Sequence, residues 1–304
     1  MTQKIWLASY PKSGNTWMRM MIANLSAPEG ETVDINNLPQ SGEIASARAP
    51  FDHFLLIDSG LLTHDEADCL RPRLYEEIAP GTEDDECDKP DNALHVRFAK
   101  VHDAYTMTPK GEPLLAGRRG AEGAVVIVRD PRDVAPSLAN HNGSSIDKAI
   151  TFMGDPKSAF CGKSTKHYIQ LRQKLLSWSK HIASWLDQRD IPVHLVRYEE
   201  MKADPAAVLR AVLDFAGFPA TEAQIRSAAT NADFTKLRAQ ELEKGFREAP
   251  RRLGDTKFFR RGVTGAWRDE LTIEQVARIE SEHETMMRRL GYEPSGVTTL
   301  ALMK

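Results

Sequence analysis

No uninterrupted hydrophobic run in this chain approaches the roughly 20 residues that a membrane-spanning helix requires. The first residues, Met-Thr-Gln-Lys, lead straight into a strand-like segment without an apolar signal sequence. Cysteine is scarce: Cys69, Cys87 and Cys161 are odd in number and far apart, which excludes a disulfide framework and a metal-spaced set. A net charge of −3 with 27% charged residues carries no general nucleic-acid signature. There is no internal repeat. His53, His64, His95, His141, His167, His181, His194 and His283 lack metal-ligand spacing or a nucleophilic partner. The expectation is a soluble, cytoplasmic protein of a reducing compartment, without membrane, nucleic-acid or metal dependence.

What is present begins with a core. At 41% hydrophobic over 304 residues, the chain can bury a sizeable interior, and α/β folds of about this length are often single units. Four short, nearly continuous apolar runs at 4–10, 95–101, 124–129 and 193–198 read as strands covered on both faces. Helical periodicity appears at about 14–25, 131–141, 165–188, 204–216, 221–230 and 272–290. Asp204-Pro205 opens one of these helices and Gly217-Phe218-Pro219 stops it. This alternation predicts a single α/β domain over 1–304: three αβα layers around a mostly parallel sheet. Two stretches, 26–93 and 142–164, read as irregular insertions, and the tail from Pro294 as loosely held.

The chemistry starts at the end of the first strand. Tyr10-Pro11-Lys12-Ser13-Gly14-Asn15-Thr16-Trp17 is a tight turn entering a helix, where free N–H groups and the helix dipole attract anions. Lys12 with the Ser13 and Thr16 hydroxyls makes it a phosphate-binding turn of P-loop type. It is not a Walker sequence, because its lysine precedes the glycine and no Gly-Lys-Ser/Thr occurs.

Three further elements carry charge. Arg129 ends the third strand and Ser137 follows within the next helix, so the pair can grip one anion at the sheet's carboxyl edge; equally, Arg129 and Asp130 can be a helix-capping pair. Lys100 and His102 lie two apart and share a face if the strand persists, the lysine tending to keep the imidazole neutral. The alternative is a half-buried histidine beside a solvated lysine. Finally, Lys257-Phe258-Phe259-Arg260-Arg261-Gly262-Val263-Thr264-Gly265-Ala266-Trp267 suits a second phosphate and a stacked base, or is a solvated basic loop.

Taken in order, these segments resemble the cytosolic-type sulfotransferases, which move a sulfuryl group from 3′-phosphoadenosine 5′-phosphosulfate (PAPS) to an acceptor. The resemblance runs from residue 5 to about 290. It implies that Lys12, Ser13, Gly14, Asn15, Thr16 and Trp17 form the 5′-phosphosulfate loop, with Asn15 where threonine is commoner. It implies that Arg129 and Ser137 hold the 3′-phosphate together with Arg260, Arg261 and Gly262, Arg261 replacing a lysine. Tyr198, in Val196-Arg197-Tyr198-Glu199-Glu200-Met201, would contact the adenine side. Of Asn231-Ala232-Asp233-Phe234, only Phe234 matches the family's adenine segment. Lys12, His102 and Lys100 would be catalytic: Lys12 on the leaving phosphate, His102 as general base, Lys100 on the sulfonate. No metal is required on this reading.

Other readings stay open. A magnesium-dependent kinase or NTPase on the same sheet would need a carboxylate after the third strand, for which Asp130 is an imperfect candidate. A non-catalytic PAPS- or PAP-binding protein is a second. A membrane-lumen enzyme acting on polysaccharide is a third, against which the missing anchor speaks. The acceptor is a phenol, alcohol or amine; Phe51, Phe54, Leu55, Leu56, Phe152, Met153 and Phe160 either line its pocket or are ordinary core. The acidic run 83–88 favours a cationic acceptor only if it faces that pocket. Oligomeric state is not legible.

Overall fold

Strand β1 (Gln3–Ser9) sends Trp6 and Ala8 to one core and Ile5 and Leu7 to another, as the two-residue period of an extended chain demands. That division generates the whole architecture. The computed structural model describes residues 3–28, 31–38, 44–77, 96–163, 168–249 and 257–296. In chain order after β1 come α1 (Asn15–Asn24), α2 (Arg48–Leu55), α3 (His64–Glu77), β2 (Val96–Val101), β3 (Gly123–Val128), α4 (Pro131–Asn142) and α5 (Ile146–Gly154). There follow β4 (Ala159–Phe160), β5 (Gln173–Lys174), α6 (Trp178–Asp187), β6 (Val193–Arg197), α7 (Tyr198–Ala203) and α8 (Pro205–Phe215). The last are α9 (Glu222–Asn231), α10 (Phe234–Lys244), α11 (Trp267–Glu270) and α12 (Ile273–Arg289).

The central sheet runs β2-β1-β3-β6 with every neighbouring pair parallel. On one face it packs against α4, α5, α6 and α12 through Val134, Leu138, Ile150, Trp178, Trp185, Ile279 and Met287. On the other, Met18, Met21 and Ile22 of α1 join Leu209 and Val212 of α8 and Ile225 of α9. The four expected strands and the αβα layering are therefore present. From β1 the chain passes to β2 on one side, while β3 lies on the other. The order reverses between β1 and β3, and at such a switch point a crevice opens at the carboxyl edge. Register pairs Ala8 with both Val101 and Val126, so the residues following β1, β2 and β3 emerge side by side.

Three expectations need correction. Among the described residues, the helix read over 165–188 exists only as α6. Ahead of it, Ala159 pairs with Lys174 and Phe160 with Gln173, and the amide of Leu171 donates to Ser46 at 2.7 Å. Backbone groups spent on other segments are not available to a helix. The stretch 142–164 is not wholly irregular, because α5 is capped by Ser145, whose Oγ accepts from Lys148 N, and buries Ala149, Ile150 and Met153. Ile146, Ala149, Ile150 and Met153 have helical spacing, a signal present in the sequence. Within 26–93, α2 and α3 are regular, and Arg71 of α3 forms a buried ion pair with Asp103 at 2.6 Å. The acidic run 83–88 and the tail beyond 296 lie outside the described residues. Among the described residues no helix is long and apolar enough to cross a membrane.

Lys4 is buried at the amino end of β1, where its Nζ donates to the carbonyl of Tyr75 at 3.0 Å and lies 5.0 Å from the Trp6 ring centroid. Burial, with Arg97 nearby, pulls its pKa down to about 7. The unfolded chain therefore binds more protons than the folded one between pH 7 and about 10.4, the reference value for lysine, so this residue's contribution to stability rises with pH there. Melting curves of wild type and Lys4→Met should diverge in favour of wild type as pH rises from 7 to 10. A difference independent of pH would show the ammonium to be ordinarily solvated.

Candidate active site

The turn after β1 is built by backbone conformation. Lys12 (φ +71°) and Gly14 (φ +107°) both take left-handed geometry, the alternating backbone pattern that can form an anion-binding nest ahead of α1. Gly14 is required twice over. Its φ suits glycine, and a Cβ there would lie 2.7 Å from Cδ2 of Tyr198. The Ser13 Oγ is buried without a partner. Asn15 departs from the expected role: its Nδ2 donates back to the Leu7 carbonyl at 2.8 Å and to Ser9 Oγ at 3.2 Å. Its side-chain amide thus anchors α1 to β1, leaving the Asn15 backbone N–H for an anion. Trp17 is held by its Nε1 donating to the Ala232 carbonyl at 2.8 Å.

Around this turn lies a cavity of about 770 Å³ whose walls include Lys12, Gly14, Asn15, Thr16 and Trp17. Lys100, His102, Arg129, Ser137, Tyr198, Phe234, Arg260, Arg261 and Gly262 line the same space. Residues far apart in the chain meet because the carboxyl ends of β1, β2, β3 and β6 share one edge. Arg129 is central: it stacks on the Tyr198 ring at 4.3 Å and donates to the carbonyls of Lys12 (3.3 Å) and Val263 (3.0 Å). Its Nε is buried and unpartnered. The loop 257–267 is pinned from below by Asp133, which accepts from the amides of Gly265 (2.7 Å) and Trp267 (2.9 Å). A Cβ on Gly262 would meet the Phe234 ring at 2.4 Å, so that loop crosses directly over the first residue of α10. Nζ of Lys202 lies 5.3 Å from the Trp17 ring and 5.9 Å from that of Phe234, marking an aromatic slot.

The cations share one electrostatic problem. Lys12 is driven down to about 7 by burial and by Lys100, Arg129 and Arg260, with Glu241 opposing; its Nζ rests 3.5 Å from the Phe258 ring centroid. Burial also lowers Lys100, although Glu248 offsets the effect from 2.9 Å. His102 lies well below its ordinary value because of burial and then Lys100, so it is neutral at physiological pH. Its Nδ1 is 2.8 Å from the Ser9 carbonyl, which can only accept. The proton therefore sits on Nδ1 and the basic lone pair on Nε2.

Several residues escaped sequence reading. Glu248 and Glu270 line the cavity and hold its cations, but single glutamates in polar segments carry no motif. His141 also lines it, one helical turn after Ser137, and a face shared with that serine was the available signal. Of the seven apolar residues considered for an acceptor pocket, only Phe160 reaches the cavity. Phe51 and Met153 are fully buried core, Leu56 is 88% exposed, and Phe152 stacks behind Phe160 at 5.8 Å. Asp130 is committed as well: its two oxygens accept from Arg132 at 2.7–3.2 Å while capping α4. Among the described residues no group of three or more His, Cys, Asp or Glu is arranged to hold a metal.

The sequence profile of the sulfotransferase domain matches residues 2–291. The chain belongs to the sulfotransferase family. It is 23% identical to rat (Rattus norvegicus) sulfotransferase 1A1 over 288 residues, covering 92% of this chain and 83% of that protein. To cytosolic sulfotransferase 17 of Arabidopsis thaliana it is 23% identical over 297 residues, 94% of this chain and 75% of the relative. Its fold is similar to the crystal structure of mouse sulfotransferase SULT7A1 complexed with PAP, with a TM-score of 0.57 and 19% identity, covering 100% of this chain and 90% of that one.

Nitrogen-resolved NMR of the free enzyme at pH 6 should find His102 neutral, with its proton on Nδ1. A protonated ring, or a proton on Nε2, would remove the basis for treating Nε2 as the base.

Proposed function

We propose that this sulfotransferase, read as one domain over the whole chain, uses PAPS as donor and modifies a hydroxyl or amine of a small molecule in the cytoplasm. The supporting observation is the convergence of Lys12, Lys100, His102, Arg129, Ser137, Arg260 and Arg261 on one cavity. The residues present suit a doubly phosphorylated adenosine. A backbone nest lies beside the unpartnered Ser13 Oγ, the unpartnered Arg129 Nε lies near two further arginines, and an aromatic slot lies beyond. When bound, PAPS supplies the sulfuryl group, which leaves its phosphate oxygen for the acceptor, and PAP departs.

The chain's own residues then divide the work. Lys12, the nest amides and the Thr16 hydroxyl hold the 5′-phosphate, an electrostatic stabilisation that strengthens as negative charge grows there. Lys100 faces the sulfonate. His102 Nε2 takes the acceptor proton while the Ser9 carbonyl steadies Nδ1. Arg129, Ser137, Arg260, Arg261 and the Gly262 amide hold the 3′-phosphate. ATP lacks that group and would leave the buried Arg129 Nε without an anion, which disfavours it. Trp17, Tyr198 and Phe234 flank the adenine. At the acceptor end, Phe160 offers one apolar face among Lys157, Tyr168, Gln170 and Gln173. That mixture supports a small acceptor with polar groups besides the one attacked.

His102→Ala should lower transfer about 10²- to 10⁴-fold while calorimetry finds PAP affinity nearly unchanged; near-normal turnover would remove His102 from the mechanism. Arg129→Ala should weaken PAP about tenfold or more, since a charge-assisted contact is lost; an unchanged dissociation constant would overturn its assignment. Lys12, mostly neutral at pH 8 in the free protein, should regain its proton beside a phosphate. PAP binding at pH 8 should then take up protons, seen as a dependence of binding enthalpy on the buffer's ionisation enthalpy. No such dependence would separate Lys12 from the phosphate.

A further inference from the structure

The cavity holds a carboxylate for which the mechanism above has no task. Glu248, in the turn after α10, reaches across to the reaction end. Its Oε2 lies 2.9 Å from Lys100 Nζ, and its two oxygens accept from Arg19 Nη1 at 2.8 and 2.9 Å. The surroundings are dry: side-chain exposure is 1% for Arg19, 13% for Lys100 and 23% for Glu248. Lys12 and His102, the other reaction-end groups, both feel Lys100 directly.

We propose that Glu248 is a built-in stand-in for the donor's sulfonate, occupying Lys100 until that group arrives and so setting the preference between donor and spent product. The inference rests on the PAPS reading above. A sulfonate approaching Lys100 meets an ammonium already neutralised, with a carboxylate at hydrogen-bond distance from the site it must enter. Two anions around one buried ammonium repel each other, so Glu248 has to yield. It can do so without becoming an unpaired buried charge, because Arg19 keeps hold of it. PAP carries no sulfonate and leaves the Lys100–Glu248 pair intact. The cost of displacement therefore falls on PAPS alone.

Glu248 stays ionised to play this part: burial would raise its pKa, but Lys100 and Arg19 outweigh that and hold it below the ordinary range. Glu270 is placed differently. It clamps Arg260 at 2.6 and 3.0 Å and Arg261 at 2.9 Å, at the end assigned to the 3′-phosphate that donor and product share. Discrimination between the two nucleotides accordingly falls to Glu248.

Dissociation constants of PAPS and PAP, measured by calorimetry without acceptor, test this on wild type, Glu248→Gln, Glu248→Ala and Glu248→Asp. Either charge-free variant should tighten PAPS relative to PAP by about tenfold, as expected for removing one competing, partly buried ion pair. Glu248→Asp should keep the wild-type ratio. Equal weakening of both nucleotides would make Glu248 a structural fastener of the turn after α10 and overturn the proposal, as would an unchanged ratio. A ratio altered as much by Asp as by Gln would also overturn it, because shape rather than charge would then be at work. If wild type binds neither nucleotide, it is the PAPS reading itself that fails.

Discussion

The Tyr198 ring, wedged between Gly14 and the Arg129 guanidinium, is the contact from which the site is built. Three chain segments meet there: the turn after β1, the end of β3 and the start of α7 after β6. Gly14 carries no Cβ because the ring occupies its place, and the same ring supports Arg129 from 4.3 Å. Arg129 in turn ties the turn to the 257–267 loop through the carbonyls of Lys12 and Val263. A face-on contact of cation and ring keeps the charge in place without neutralising it, which a carboxylate partner would do. The arginine thus remains available to an anion.

The remainder of the cavity is an exercise in keeping positive charge buried. Lys12, Lys100 and the partly exposed Arg260 and Arg261 cannot crowd one cavity without compensation, and two solutions coexist. Lys12 lies near its titration point against an aromatic ring, whereas Lys100 and the loop arginines borrow carboxylates from Glu248 and Glu270. Both arrangements are provisional in the same sense: an incoming polyanion offers a better partner than either. Binding and charge neutralisation are then a single event. Segments that lend carboxylates, the turn after α10 and α11, also enclose the cavity, so its electrostatics and its walls are coupled.

Legibility differed between scaffold and site for a physical reason. The four strands and most long helices were readable because burial on two faces imposes apolar runs, and burial on one imposes a helical period. The segment 168–175 was misread since a short β-pair and contacts with 44–48 absorb backbone groups that an isolated sequence would assign to a helix. For α5 the reverse holds: its spacing was plain, but surrounding glycine and serine obscured it. Within the site, part of what was found beforehand lies in turns whose backbone demands leave a trace, at Gly14 and Gly262, and the rest at strand ends and early helical turns beside them. Asn15 shows the limit, because its direction depends on a strand carbonyl eight residues back and a strand hydroxyl six back.

Local chemistry alone determined the tight turn entering α1, the alternation of strands with helices, and the charged ends of β2 and β3. Those features are set by residues within a few positions of one another, so a linear reading reaches them. Tertiary structure decided which ring nitrogen of His102 is basic, which carboxylates occupy Lys100 and the loop arginines, and that of the seven apolar candidates Phe160 alone reaches the cavity wall. The first two of these need distant segments, His102 meeting Ser9 where parallel strands align their carboxyl edges and Lys100 meeting Glu248 from beyond α10, while the loop arginines meet Glu270 through the fold of 257–267 into α11. No periodicity or motif encodes such a meeting, because a side chain's protonation and exposure follow from its surroundings rather than from its neighbours in sequence.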